Sequence, residues 1–172
     1  YTAWVALGEM VDNSIQSYLQ NKERLLEIEG KDYKLQVDID IVRGDDPQIT
    51  LIDNAAGIYT ADFERAFTPA APPLDKTGIS QYGIGMKSSA CWYSKNFTVR
   101  TKALGEPVIR IVNFDIPHIV ANDTEDLDIQ EEENLNPKLH GTRITLRNLN
   151  QPVPSAGSAS RLRSYLRSMY RD

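Results

Sequence analysis

The sequence predicts an α+β fold in which helices pack against a sheet as a two-layer sandwich. The strand-like segments come in neighbouring pairs joined by short turns, and the helical segments are grouped around these hairpins. This order favours the sandwich over a doubly wound α/β fold, in which helices and strands alternate one for one. The length agrees, because 172 residues suffice for one well-packed domain and are too few for two ordinary ones.

Composition and charge narrow the classes of function. No apolar run approaches membrane-spanning length, so we expect no membrane partner and a cytoplasmic location, or a nuclear one in a eukaryote. The net charge of −5 disfavours a general polyanion binder. The single cysteine, Cys91, fits a reducing compartment, and His118 and His140 lack the spacing of a zinc site. The chain begins at Tyr1 within a helical pattern, so we expect a fragment of a longer protein.

The first half of the chain predicts a long helix, a hairpin and a short helix. Apolar residues repeat at three- and four-residue steps from Trp4 to about Leu26, which is the pattern of an amphipathic helix, and Gly30 ends it. Alternating apolar and charged residues over 35–41 predict a half-buried strand, and 48–52 predicts its returning partner. Thr60 is able to cap the short helix that follows.

The second half predicts a long loop, a helix and further strands. Prolines and glycines from 68 to 85 oppose regular structure, and loops of this length are usually functional or disordered. A short helix over 86–93 should follow. Apolar β-formers then predict strands over 97–102, 108–114 and 142–146.

Two charged segments each allow two interpretations. Seven acidic residues lie between 123 and 134, within the segment 116–140, which we predict to be a solvated insertion loop. A calcium loop is the alternative, but the alternating oxygen ligands and central glycine of such loops are absent. The last predicted helix, 161–170, has an arginine-rich face, which either contacts nucleic-acid phosphates or is a solvated surface.

Glu9 and Asn13 form the first chemical motif. They are four residues apart on the predicted helix and therefore lie on one face. An amide oxygen is a suitable ligand for Mg²⁺, and a carboxylate can take a proton from an attacking water. A solvated polar pair is the alternative.

The second motif, Asp53 to Gly57, and the fourth motif, Gly141 and Thr142, predict a pocket that binds a nucleobase. Asp53 ends an apolar strand, where its carboxylate can accept a hydrogen bond from the exocyclic amine of adenine, and Gly57 allows close backbone approach. Thr142 follows Gly141 at the start of a strand, and its hydroxyl is able to bridge through water to Asp53. An Asp-Asn turn and an edge-strand threonine are the alternatives.

The third motif, the segment from Gly78 to Ser88, is the most informative one. It fails the P-loop pattern because Ile84 stands where lysine is needed, and it fails the dinucleotide pattern because Ser88 stands where glycine is needed. What remains is a glycine-rich turn that leads into a helix N-terminus, whose free amides suit a triphosphate, with Lys87 adding charge. A flexible loop before an ordinary helix is the alternative.

The order of these four motifs resembles the ATP-binding domain of the GHKL superfamily, which includes gyrase B, the ninety-kilodalton heat-shock chaperones, sensor histidine kinases and MutL proteins. The similarity covers about 6–149, and the motif wording is most similar to microrchidia-type ATPases and their bacterial relatives. It implies a Bergerat-type fold with a mixed, mostly antiparallel sheet and helices on one face. It also implies one ATP-binding domain over 1–172, with an ATP lid over 68–85.

The resemblance implies a role for each motif residue. Glu9 becomes the general base and Asn13 the magnesium ligand. The implied ATP-binding residues are Asn13, Asp53, Gly57, Ile58, Gly78, Ser80, Gln81, Tyr82, Gly83, Ile84, Gly85, Met86, Lys87 and Thr142. One departure is Ala55, where the family usually has the first glycine of its second box. A Cβ there costs about 1 kcal/mol or more if the backbone needs a left-handed angle.

The implied function is Mg²⁺-dependent ATP binding and hydrolysis, with lid closure driving conformational change or dimerisation of a larger protein. The implied partners are ATP, a transducer-like second domain and a second copy of the chain. Glu9 favours hydrolysis, because family members that hydrolyse ATP carry a carboxylate there. The alternatives are a histidine-kinase-like phosphotransferase and a non-hydrolysing ATP-binding regulatory module.

Overall fold

The structure is a computed structural model that describes residues 2–67, 84–122 and 127–155 and the single residues 157 and 160. These residues contain eleven helices and strands. In chain order they are α1 (Ala3–Gln20), α2 (Lys22–Glu29), β1 (Val37–Val42), β2 (Gln48–Asp53), α3 (Thr60–Phe67), α4 (Ile84–Tyr93), β3 (Ser94–Lys102), β4 (Val108–Asp115), α5 (Ile116–Asn122), β5 (Ile129–Glu133) and β6 (Gly141–Leu149). Most of the predicted lid over 68–85 and the predicted helix over 161–170 lie outside these residues.

The described strands form one sheet in the order β1-β2-β6-β3-β4-β5. The α+β prediction is confirmed, and each strand pairing is antiparallel, so the sheet is not mixed in this region. Although β6 comes last among these strands in the sequence, it lies between β2 and β3. This crossover places Thr142 directly opposite Thr101 and brings the start of β6 beside the end of β2.

The helices cover one face of the sheet. Alternate strand residues, such as Leu51, Val99 and Ile144, are buried in one cluster with Leu7 and Met10 of α1. α3 and α4 add residues to the same cluster, and α5 packs against it. Because strand side chains alternate between faces, the opposite face carries the intervening residues. We call the helix-covered side the inner face and the other side the outer face.

Asn21 interrupts the helix that the sequence predicts to continue to about Leu26. Its backbone has φ −112° and ψ 13°, which ends α1 at Gln20, and α2 begins at Lys22. The Asn21 side chain donates to the Ser17 carbonyl over 2.9 Å and accepts from the Tyr59 hydroxyl over 3.2 Å. Such side-chain bonds compete with the helical backbone, which explains the break.

The segment predicted as an acidic insertion loop, 116–140, contains α5 and the edge strand β5. β5 pairs with β4, and two of its glutamates form ion pairs: Glu131 with Arg110 and Glu132 with Arg100, each over 2.9 Å. The loop prediction is therefore wrong for these two elements. All five β5 residues are exposed, so no apolar alternation marks the strand in the sequence.

Two glycines allow the backbone to close around the end of β2. Gly57 has φ +74°, and a Cβ there would overlap the carbonyl oxygen of Lys102. Gly141 has φ +115°, and a Cβ there would overlap the carbonyl oxygen of Asp53. Both positions thus combine a left-handed angle with a close approach to backbone, which a side chain would prevent.

We predict that Gly141→Ala destabilises the fold far more than Gly44→Ala. Gly44 is a matched control, because it has φ +121° but no atom within 4 Å of the position of an added Cβ. The left-handed angle alone costs about 1–2 kcal/mol, whereas the overlap at Gly141 must also displace backbone. Urea unfolding should show a loss of more than about 3 kcal/mol, or no folded protein, for Gly141→Ala alone. Equal losses in the two variants would contradict the close approach.

Candidate functional site

The carboxylate of Asp53 is the centre of the candidate site. Its side chain is buried and accepts three hydrogen bonds from three segments of the chain. Ser14 of α1 donates to Oδ2 over 2.7 Å, while the backbone N–H groups of Ala55 and Thr142 donate to Oδ1 over 3.0 and 3.1 Å. Burial raises the pKa of Asp53, and these hydrogen bonds and the nearby His140 oppose that rise. The structure thus joins the second and fourth motifs to α1.

Ala55 fits its position without backbone strain. Among the described non-glycine residues only Asn148 has a positive φ, so Ala55 does not adopt the left-handed angle that would penalise a Cβ. Its side chain is buried, its N–H donates to Asp53, and its carbonyl accepts from His140. The departure from the family's glycine therefore does not weaken the site through strain.

Thr101 of β3 links the Gly57 loop to β6. Its Oγ1 accepts from the Ile58 N–H over 2.9 Å and donates to the Gly141 carbonyl over 3.2 Å. The Thr142 Oγ1 lies 3.1 Å from the same oxygen. Because a hydroxyl has one proton, Thr142 must be the donor in that last pair, which leaves its own oxygen as an acceptor.

Glu9 and Gly85 bring the first and third motifs into contact. A Cβ on Gly85 would lie 2.7 Å from Glu9 Oε2, so the carboxylate packs against the first turn of α4 and would have to shift if residue 85 had a side chain. The N-terminal end of a helix carries a partial positive charge, which favours a carboxylate. No described residue donates a hydrogen bond to the Glu9 carboxylate, so its oxygens are open to other groups.

Asn13 presents an open carbonyl oxygen. Its Nδ2 donates to the Glu9 backbone carbonyl over 2.7 Å, which fixes the orientation of the amide. Oδ1 then points away from that bond, and no described residue donates to it. The first motif therefore offers one neutral oxygen and one carboxylate from adjacent turns of α1.

A cavity of about 110 Å³ opens beside this pair, between α1, the loop after Gly57, α3 and α4. Its lining residues are Asn13, Ser17, Gln20, Asn21, Gly57, Ile58, Tyr59, Asp62, Ala66 and Met86. Four predicted site residues are therefore in its wall. Asp53 and Thr142 do not line it, but Thr101 connects them to Ile58 at its edge.

The remaining predicted site residues lie in or before α4. Ile84 is its first residue, and Lys87 is half-buried one turn later, where burial lowers the pKa of its ammonium group. Gly78 and the run from Ser80 to Gly83 lie outside the described residues.

The sequence did not single out four residues of the site: Asp12, Ser14, Thr101 and His140. Ser14 had a detectable signal, because it is a polar residue within the apolar stripe of α1. Asp12 Oδ1 is buried with no hydrogen-bond partner among the described residues, and burial together with Glu9 raises the pKa of this carboxyl. Thr101 and His140 act through long-range contacts that no local pattern reveals.

His140 contacts the loop after Asp53 through the carbonyl of Ala55. Its side chain is 2% exposed, its Nδ1 lies 2.7 Å from the Ala55 carbonyl oxygen, and its Nε2 lies 3.4 Å from Glu29 Oε1. The carbonyl can only accept, so Nδ1 carries the proton of this hydrogen bond. The Tyr33 ring packs edge-on against the imidazole. The Ala55 backbone is thereby fixed from two sides.

Neither a metal-binding cluster nor a membrane-spanning helix is found within the described ranges. No group of three or more histidine, cysteine, aspartate or glutamate side chains there is arranged to hold a metal ion. None of the helices in those ranges has the length and apolar character needed to cross a membrane.

Comparison with known proteins identifies a family. The model for histidine kinase-, DNA gyrase B- and HSP90-like ATPases matches residues 1–142, which contain all four motifs. No curated protein matches this chain.

We predict that His140→Asn preserves stability better than His140→Leu. The asparagine amide occupies the position of Nδ1 and can still donate to the Ala55 carbonyl, whereas leucine leaves that buried carbonyl unpaired, at a cost of about 1–3 kcal/mol. Urea unfolding measures the difference. His118, exposed on α5, provides the control pair of substitutions. If Asn and Leu are equally destabilising at position 140, the hydrogen bond to Ala55 contributes nothing.

Proposed function

This chain belongs to the histidine kinase-, DNA gyrase B- and HSP90-like ATPase family and is an ATP-binding domain of the GHKL type, and we propose that it also hydrolyses ATP with the help of Mg²⁺. The observation that carries the proposal is the contact between Glu9 and the first turn of α4, with the open oxygen of Asn13 beside it. The residues proposed as the base and the metal ligand therefore lie next to a helix N-terminus.

Asp53 supports recognition of adenine. Its Oδ2 accepts one hydrogen bond from the protein, from Ser14, and a carboxylate oxygen can accept two. The free acceptor site would take the exocyclic amine of adenine, a donor that guanine lacks at that position. Thr142, whose oxygen is left as an acceptor, would complete this end through water.

Asn13 is suited to hold Mg²⁺. Its Oδ1 is a neutral oxygen with no donor from the described residues, and Mg²⁺ binds oxygen ligands while keeping several waters and phosphate oxygens. Bound there, the ion would neutralise charge on the phosphates. The amide is held by its bond to the Glu9 carbonyl, so Asn13 would need no rearrangement to bind it.

Glu9 is proposed as the general base. Its carboxylate has no hydrogen-bond donor among the described residues, which leaves it able to accept a proton from an attacking water. Gly85 allows the carboxylate to lie against α4, where the backbone amides of the first turn would contact phosphate. Lys87, one turn further on, would add positive charge, and binding an anion would favour its half-buried ammonium group.

Lid closure over 68–85, a transducer-like second domain and ATP-dependent dimerisation complete the proposal. Their support is the family relationship, since those parts are beyond the described residues. A non-hydrolysing module rested mainly on Ala55, and the unstrained backbone of Ala55 removes that reason.

We predict that Glu9→Gln lowers the rate of ATP hydrolysis by at least about 100-fold, because a general base contributes 10²–10⁴-fold. ATP affinity should stay within about threefold, since the amide keeps the size of the side chain. Phosphate release and calorimetric titration measure the two effects. Glu27→Gln, on the exposed side of α2, is the control. Hydrolysis at the wild-type rate by Glu9→Gln would exclude Glu9 as the base. A wild-type domain that binds ATP at all protein concentrations without releasing phosphate would indicate a non-hydrolysing module.

We predict that Asp53→Asn weakens ATP binding by at least about tenfold and reduces the preference for ATP over GTP. The substitution replaces a charged oxygen acceptor by an NH₂ donor, and hydrogen bonds to charged acceptors are the stronger ones. Titrations with both nucleotides, with and without Mg²⁺, measure the change. Asp40→Asn on exposed β1 is the matched control. Ser14→Ala, which retains the carboxylate, should cause a smaller loss and guards against misfolding of Asp53→Asn. Preference of the wild type for GTP would contradict the adenine assignment.

A further inference from the structure

The outer face of the sheet carries positive charge that the ATP site does not use. Arg100, Lys102, Arg143 and Arg147 all lie on this face, on the two neighbouring strands β3 and β6. Their concentration is notable because the whole chain has a net charge of −5. Three of these side chains line a cavity of about 470 Å³, and its apolar wall is formed by Ile52, Ile109 and Leu139. We call this the outer basic cavity.

Arg100 and Arg143 are directly opposite each other in the β3–β6 register. Like charges at such positions are destabilising, because their side chains lie on the same face with Cβ atoms about 4.5–5.5 Å apart. Glu132 compensates Arg100 over 2.9 Å, at an exposed position. No described carboxylate pairs with Arg143. The pair therefore holds a positive charge that the described part of the protein does not balance.

Lys102 adds a buried cation to the same cavity. It is 4% exposed, and its Nζ donates to the backbone carbonyl of Asn136 over 2.9 Å. That carbonyl is neutral and takes one of the three N–H groups, and no described carboxylate forms an ion pair with the ammonium. Burial lowers the pKa of Lys102, and the charge of Glu106 opposes that fall. A buried ammonium group that forms no ion pair is costly unless a ligand adds negative charge.

We propose that the outer basic cavity binds a phosphate dianion, either as inorganic phosphate or as a small-molecule phosphate monoester. Two guanidinium groups and an ammonium present more donors than one carboxylate can accept, whereas a tetrahedral dianion has enough oxygens to accept from all three. The apolar wall of Ile52, Ile109 and Leu139 suits the organic part of a monoester.

This cavity adjoins the candidate ATP site and shares part of its wall, because Asp53, Thr101, His140 and Thr142 line it too. The carboxylate of Asp53 accepts its hydrogen bonds from Ser14, Ala55 and Thr142, and the His140 nitrogens lie beside Ala55 and Glu29. The positive groups of the cavity are those of the outer strand residues. The proposal therefore does not depend on ATP hydrolysis.

The test reads the arginine side chains directly. Inorganic phosphate and phenyl phosphate are titrated at constant ionic strength into the full chain labelled with ¹⁵N, and the Nε–Hε signals of Arg100 and Arg143 are followed. We expect saturable shifts of both signals, and the tighter of the two probes identifies the source of the phosphate group. Phosphate that enters the cavity beside α1 would instead shift the backbone amides of Asn13 and Ser17, which line that cavity and not the outer one, so the two sites are separable.

Variants test whether the cavity itself is responsible. Arg143→Gln should weaken phosphate binding by at least about tenfold, and Arg143→Lys should weaken it less, because it keeps the charge but loses the fork. Arg147→Gln is the matched control, on the same strand and face about 13 Å away, and it should bind as the wild type does. Non-saturating shifts, equal loss in the Arg147 variant, or tighter binding of acetate than of phosphate would overturn the proposal.

Discussion

The hydrogen bonds to the buried carboxylate of Asp53 are the interactions on which the site depends. An isolated charge inside a protein is so costly that it persists only when donors surround it, and here the donors come from a helix, a loop and a strand that are far apart in sequence. Satisfying Asp53 therefore fixes α1 against the sheet and fixes β6 beside β2. In the proposed function, the same three contacts would also orient the remaining acceptor site of the carboxylate for adenine.

The sequence revealed those elements whose periodicity is clear, and it failed where periodicity is absent. β1, β2, β3, β4 and β6 alternate between faces or consist of apolar β-formers, and they form the strands that the pattern predicts. β5 was missed because it is an exposed edge strand that depends on ion pairs with Arg100 and Arg110, and Asn21 divides a helix whose apolar pattern continues past it. In the site, spacing was enough to pair Glu9 with Asn13. The contacts of Thr101 and His140 could not be predicted, because each connects strands or loops that only the tertiary fold brings together.

Ala55 shows that the residue type usual at a motif position is not always required by the backbone conformation there. A glycine is needed only where φ is positive or where backbone approaches closely, and at this box those conditions apply to Gly57. The methyl group of Ala55 is buried, and its carbonyl accepts a hydrogen bond from His140. Within the segment from Asp53 to Gly57, only Gly57 needs to be glycine, and Gly141 on the neighbouring strand meets the same requirement beside it.

The position of β6 has a consequence for how the domain is made. β6 is the last of the described strands in the chain, yet it is the central strand that joins the β1–β2 hairpin to β3, β4 and β5. Contacts over such sequence separations form slowly, and the N-terminal parts of a chain emerge first during synthesis. Until Gly141–Leu149 has left the ribosome, Asp53 lacks the Thr142 donor and the two halves of the sheet have no shared partner. A nascent chain that ends before β6 therefore holds α1 and the hairpin but has no completed pocket for ATP.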